Sequence, residues 1–219
     1  MPTPSQIRRF GVLGSGEVGQ TLAKGLKTHG YEVRIGTRSP DKLADYSKST
    51  GIEAGTFADV AQWGDALVLA VLGEAAMDVL KTAGAGSLNG KTILDTTNAL
   101  SHEPPVQGVL KTFTGPNESL LERIQQAYPQ AHFVKAFNSV GSALMVNPKI
   151  PSGRPTMFYC GNEAGAKALA ASVIEKFGWE GADMGGAIAA RAIEPLAVLW
   201  CIPGFLRNDW THAFRVVRP

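Results

Sequence analysis

Residues 10–39 read FGVLGSGEVGQTLAKGLKTHGYEVRIGTRS, and their order decides the fold. The apolar run Phe10, Gly11, Val12, Leu13 stops at Gly14, and Gly14, Gly16 and Gly19 then spell G-x-G-x-x-G. A helical pattern follows through Leu22, Ala23 and Leu26, Gly30 breaks it, and a second apolar run ends at Gly36. Strand, glycine turn, helix and strand within about thirty residues is the frame that a dinucleotide fingerprint requires. Gly14 permits the tight turn, Gly16 lets a pyrophosphate approach the backbone, and Gly19 lets helix and strand pack closely. Amides of the first helical turn then face the phosphates, helped by the helix dipole.

The end of the second strand indicates which dinucleotide. A site selective for NAD carries Asp or Glu there, to accept from the ribose 2′-hydroxyl. Here stand Thr37, Arg38 and Ser39, with Lys42 one turn later and no carboxylate before Asp41. A guanidinium can grip two oxygens of a 2′-phosphate, and two hydroxyls can donate to it. Ser39-Pro40 also reads as a helix start, with Ser39 as N-cap and Pro40 in the first helical position. Arg38 is expected to bind the 2′-phosphate. Lys42 either does the same or is a solvated charge. The expected cofactor is NADP(H).

The chain has 219 residues, enough for one α/β domain with a substantial core. Apolar residues make up 44% and charged residues 18%, and the formal net charge of +2 comes without any basic run, so composition gives no sign of nucleic-acid binding. Cys160 and Cys201, the two cysteines, have no metal-ligand spacing and are expected to be buried free thiols. The start of the chain has no apolar export segment, and the longest apolar stretch, residues 195–205, reads as too short for a bilayer. A cytoplasmic protein is expected.

Further strands are expected at residues 65–71, 92–95, 132–138 and 157–160, with a weak edge strand near 51–54 and a last one near 182–184. Helices are expected at 40–49, 56–63, 74–83, 119–128 and 164–177. The fold class is therefore α/β, a Rossmann-type doubly wound and mostly parallel sheet, as one domain spanning residues 1–219. Ligands in such sheets bind beyond the carboxyl ends of the strands. Ala70, Val71 and Leu72 are placed to flank the adenosine or pyrophosphate. Asn98 either touches the nicotinamide half or makes an Asx-type turn. Residues 101–117, rich in Pro and Gly, read as a long loop in which His102 and Lys111 are substrate contacts or simply solvated. Residues 187–199 and 205–217 read as two helices joined at Pro203-Gly204, a helical cap over 187–219. The first of them is apolar nearly all round and needs cover on every side, which a homodimer or an internal docking would supply.

Acid–base groups are sparse. His102, Lys135, Tyr159 and Arg191 are the candidate proton donors, and none has a partner visible in sequence. Hydride transfer to another ring cofactor asks less, because the cofactors carry the chemistry and the protein stacks two rings and excludes water. The small or apolar residues Ala70, Ala136, Val140, Gly141 and Ala143 suit that role.

The combination LGSGEVGQTLAKGL, VRIGTRSPDKL, VKAFNSVG and the terminal RAIEPLAVLW resembles the coenzyme F420-dependent NADP oxidoreductase family, over nearly the whole chain. A similar N-terminal domain occurs in membrane-bound NADPH-dependent ferric reductases. The resemblance implies hydride transfer between NADP(H) and a deazaflavin or flavin, with no obligatory catalytic side chain. It implies that Gly14, Ser15, Gly16, Glu17, Val18 and Gly19 hold the pyrophosphate and that Thr37, Arg38 and Ser39 hold the 2′-phosphate. Ala136, Phe137 and Asn138 would form the wall by the nicotinamide. Residues 187–190 are almost all alanine where members that use coenzyme F420 carry polar contacts. A reductase of small carbonyl or imine substrates, and a non-catalytic NADPH-binding sensor, are the other two readings of this sequence.

Overall fold

The computed structural model describes residues 7–217. Eight strands form one sheet: β1 (Arg9–Leu13), β2 (Glu32–Gly36), β3 (Glu53–Gly55), β4 (Ala66–Leu69), β5 (Thr92–Asp95), β6 (His132–Lys135), β7 (Thr156–Gly161) and β8 (Glu180–Asp183). Their spatial order is β3-β2-β1-β4-β5-β6-β7-β8. The first six are parallel. β7 runs antiparallel to β6, and β8 follows β7 in parallel. The chain winds outward from β1 to β3, then crosses back to β4, so the order reverses between β1 and β4. That reversal opens the crevice used by doubly wound folds.

The strands are apolar on both faces because both faces are covered. In β4, Ala66 and Val68 face one core and Leu67 and Leu69 the other; in β5 and β6, Leu94 and Val134 oppose Ile93 and Phe133. One core packs against α1 (Glu17–Thr28) and α7 (Ala164–Lys176), with Leu22, Leu26, Val173 and Phe177 inside it. The other packs against α3 (Phe57–Trp63), α4 (Ala76–Ala83) and α6 (Leu120–Ala127). Two shorter helices, α2 (Ala44–Thr50) and α5 (Ala85–Leu88), complete the layers. Helix starts follow local chemistry. Thr56 accepts from the Asp59 amide and Ser119 from the Glu122 amide, each at 3.2 Å, as N-caps do.

Two expectations fail. Ser39 stands at the N-cap position of a 3₁₀ turn, Pro40–Leu43, but its hydroxyl caps nothing; instead its own amide donates to Thr37 Oγ1 at 3.3 Å. Residues 205–217 are not a helix. After the 3₁₀ turn Ala187–Ala189 and α8 (Ala190–Ile193), one helix, α9 (Pro195–Arg207), passes straight through Pro203 and Gly204. Asn208 ends it in the left-handed conformation (φ 55°), and residues 208–217 fold back without regular structure. Gly204 is a seat rather than a break, since a Cβ there would lie 2.3 Å from the Trp210 ring. Trp200 stacks on His212 and donates to its carbonyl at 2.8 Å, and the Thr156 amide donates to the Phe214 carbonyl at 2.9 Å. The helical part of the cap therefore ends at Arg207. The segment Ala187–Arg207 is 21 residues long and contains an 18-residue stretch of mean hydropathy 1.4, long and apolar enough to cross a bilayer, unlike the shorter run 195–205. It nonetheless docks on the sheet domain through Ala190, Ile193, Ala197 and Trp200.

Candidate functional site: the crevice at the sheet reversal

Gly14 follows β1 with φ +130°, a conformation L side chains rarely adopt, and a Cβ there would stand 2.0 Å from the Ala70 carbonyl. A Cβ on Gly19 would stand 2.0 Å from the Gly14 carbonyl, so this glycine lets α1 sit on the turn. Gly16 differs from both. Its backbone (φ −71°, ψ −179°) suits any residue, and a Cβ would meet nothing within 4 Å. Neither strain nor packing demands glycine at 16. The open space above it, at the N-terminus of α1, is where a pyrophosphate would lie on free amides. Val18 packs into the core beneath. Glu17 places a carboxylate in the same turn, but it accepts from Ser142 Oγ at 2.6 Å.

At the end of β2, Thr37 Oγ1 accepts from Ser15 Oγ at 3.1 Å, which ties the glycine turn to the selectivity loop. Arg38 is exposed, and neither it nor Lys42 makes an ion pair or side-chain hydrogen bond among the described residues. An unpaired guanidinium beside two hydroxyls suits a phosphate dianion. The residues present fit NADP(H): an unblocked turn for the pyrophosphate, and cationic and hydroxyl donors for the 2′-phosphate. Across the crevice, Ala70 is buried, Val71 packs on the second core, and Leu72 is 70% exposed on the rim.

The far half of the crevice lies over the ends of β5 and β6. Asn98 Nδ2 donates to the Asn138 carbonyl at 2.8 Å, and Asn138 Nδ2 donates back to Asn98 Oδ1 at 3.0 Å and to the Ile193 carbonyl at 2.9 Å. Asn98 thus joins two strand ends rather than making the alternative Asx turn. Ala136 and Phe137 are buried, and the Phe137 ring points into the core against Phe177. That ring is therefore no wall for a nicotinamide. Phe137 also holds φ +58°, a strained state for a non-glycine residue. Gly141 is small for another reason than a stacked cofactor, because a Cβ there would lie 2.6 Å from the Trp200 ring.

Beneath the two asparagines sits a charge cluster. Lys135, fully buried, places Nζ 2.6 Å from Asp95, 3.0 Å from Glu194 and 2.7 Å from the Thr97 carbonyl. Glu194, at the α8–α9 junction, also accepts from the Leu120 and Leu121 amides at 3.0 Å each, at the start of α6. Asp95 accepts from the Thr97 amide and hydroxyl. Burial alone would lower the Lys135 pKa, but the carboxylates of Asp95 and Glu194 raise it above the ordinary lysine value, so it stays an ammonium. Glu194 was missed in the sequence. Its signal is a lone carboxylate in the apolar run from Ala187 to Arg191 and on to Trp200.

The four candidate proton donors are engaged elsewhere. Lys135 is locked as above. Arg191 forks onto Glu122 at 2.7 and 2.9 Å, and His102 pairs with Glu74 on the surface. Tyr159 lies buried in β7, its pKa pushed up by burial. Lys111 pairs with Glu103 on the outer loop. Burial drives the Cys160 thiol to a pKa of about 12, which leaves it inert, while Cys201 is only half-buried.

One cavity, about 560 Å³, lies away from this crevice between β3 and α3, lined by Arg34, Glu53 and Trp63. A second cavity, about 250 Å³, adjoins the far half of the crevice, between Ala99, Thr112, Thr114, Arg191, Glu194 and Pro195.

Comparison with known proteins identifies the family. Residues 9–99 match the family model described as NADP oxidoreductase, coenzyme F420-dependent. A crystal structure from Arthrobacter sp. FB24, described as an F420-dependent NADP reductase, is 32% identical and superimposes with a TM-score of 0.88, covering 97% of this chain and all of that one. The chain belongs to the coenzyme F420-dependent NADP oxidoreductase family. As a member of that family it is an NADP-dependent oxidoreductase. Rat (Rattus norvegicus) metalloreductase STEAP3 is 28% identical over 209 residues, 93% of this chain, and the chain spans 40% of that protein's length. A reductive aminase from Aspergillus terreus, solved with NADPH and ethyl levulinate, shares the fold at 17% identity, with a TM-score of 0.66 over 92% of this chain and 63% of that one.

Proposed function

We infer that the protein passes a hydride between NADP(H) and a flavin-like acceptor such as coenzyme F420. The observation that carries this reading is the state of the proton donors: Lys135 and Tyr159 are buried, His102 pairs with Glu74 on the surface, and Arg191, which lines the 250 Å³ cavity, is held as a guanidinium by its fork onto Glu122, which raises its pKa further. Reduction of a small carbonyl needs a positioned donor for the developing alkoxide, whereas ring-to-ring hydride transfer needs two rings held face to face without water. NADP(H) supplies the hydride chemistry when bound. The chain supplies the phosphate grip at one end and the Asn98–Asn138 platform at the other, and the 250 Å³ cavity beside that platform is where the acceptor ring would enter. The test is an acceptor screen that follows loss of nicotinamide absorbance with coenzyme F420, FMN, ferric chelates, ketones and imines. Turnover with coenzyme F420 or FMN is the expected result. Reduction of ketones or imines but of neither ring cofactor would overturn the reading.

We also propose that two copies pair through the C-terminal helices. The domain covers one side of α9 and leaves Leu199, Phe205 and Leu206 about half exposed. The turn bearing Val106 and Val109 lies against Leu206 at Gly108 and extends the same apolar strip. A monomer by sedimentation at micromolar concentration, including one that partitions onto lipid vesicles instead, would contradict this.

A further inference from the structure

We propose that Glu194, with Asp95, places a net negative charge beneath the nicotinamide half of the crevice and thereby makes bound NADPH a stronger hydride donor. This rests on the assignment of the crevice to NADP(H). The juxtaposition is specific. One ammonium, Lys135, faces two carboxylates, Asp95 and Glu194, at 2.6 and 3.0 Å, and all three are buried, so the cluster sums to one negative charge. The neighbouring ion pairs, Arg191–Glu122 and Arg123–Glu118, balance themselves and do not cancel it. The α6 amides of Leu120 and Leu121 offset part of it as the positive end of a helix dipole.

A second, independent feature has the same sign. Asn138 is 95% buried and spends its amide hydrogens on Asn98 and Ile193, which leaves Asn138 Oδ1 with no donor. The floor of this half of the crevice is thus rich in acceptors. It lies over the ends of β5 and β6, the strand ends next to the nicotinamide position in doubly wound sheets.

When a hydride leaves the dihydronicotinamide ring, two electrons and one proton go to the acceptor, and the neutral ring becomes a cation. Charge fixed under that ring in a low-dielectric site favours the cationic form, at no cost in reorganisation. Glu194 reaches this position only because α8 and α9 dock here. The cap that closes the domain therefore also sets the redox poise of the cofactor. Glu194 acts as a positioning and electrostatic residue rather than a catalytic one, since it touches no reacting atom.

The test measures three dissociation constants, for NADP⁺, NADPH and adenosine 2′,5′-bisphosphate, which lacks the nicotinamide. In Glu194→Gln the affinity for NADP⁺ should fall about tenfold relative to NADPH, a shift of about 30 mV in the bound couple, with the bisphosphate unchanged. Asp95→Asn removes the other anion and should shift the ratio in the same direction, which keeps the test open if one variant fails to fold. Glu194→Asp should restore the wild-type ratio. An unchanged NADP⁺ to NADPH ratio in a folded variant would overturn the proposal. So would equal weakening of all three ligands, which marks a purely structural role. If the wild type bound neither nucleotide, the NADP(H) assignment itself would be at fault.

Discussion

Replacing Arg38 by alanine should weaken NADPH binding about 10- to 100-fold and leave NADH nearly unaffected, so that most of the preference between them disappears. The range follows from a charged hydrogen-bonding contact worth about 1.5–3 kcal/mol. It applies here because Arg38 is exposed and, among the described residues, makes no ion pair to compensate its loss. Thr37 and Ser39 cannot substitute for it, because their hydroxyls can still donate to a phosphate but carry no charge to offset it. Lys42, the other unpaired cation nearby, should retain part of the 2′-phosphate grip, which sets the lower end of the range. Titration of wild type and variant with both nucleotides, by calorimetry or nicotinamide fluorescence, decides the matter. Equal affinity of the wild type for NADPH and NADH would remove the basis for assigning NADP(H).

Gly16→Ala and Gly19→Ala should fail in opposite ways. A methyl group at 19 would meet the Gly14 carbonyl at 2.0 Å, backbone against backbone, so helix or turn must move. A stability loss of about 2–4 kcal/mol is expected, in the range of overpacked or strained sites. A methyl at 16 meets nothing within 4 Å, and the backbone there is ordinary. Stability should change by only about 1 kcal/mol, the price of an alanine at an N-cap. NADPH binding should nevertheless fall more than tenfold, because the methyl occupies the space left for the pyrophosphate. Denaturant unfolding paired with nucleotide titration separates the two cases. A Gly16→Ala protein that binds NADPH normally would show that the phosphates do not lie over this turn.

These predictions depend on residues whose roles were largely visible in the sequence. The glycine turn, both flanking strands and Arg38 at the strand end fall within residues 10–39, and their arrangement is governed by local geometry. The helix starts at residues 56 and 119 were legible for the same reason, as the Thr56 and Ser119 side chains each bond an amide three residues away. The Ser39 hydroxyl was misread because Thr37 competes for the same turn. Phe137 was read as a cofactor wall, yet a positive φ at the end of β6 turns its ring into the core. The second tail helix was misread because Pro203-Gly204 looks like a stop. What it provides is a smooth face on which Trp210 folds back.

The sequence by itself determined the βαβ unit and the α/β class, and it pointed to NADP(H) as the dinucleotide. Each of these rests on contacts between residues close in the chain or on the periodicity of a single element. Only the tertiary structure decided what lies beneath the far half of the crevice, over the ends of β5 and β6. Glu194 meets Leu120 across 74 positions, and Asn138 meets Asn98 across 40. A lone carboxylate in an apolar segment has no visible partner until folding brings β5, β6, α6 and the cap together, where burial makes an unpaired charge too costly to leave.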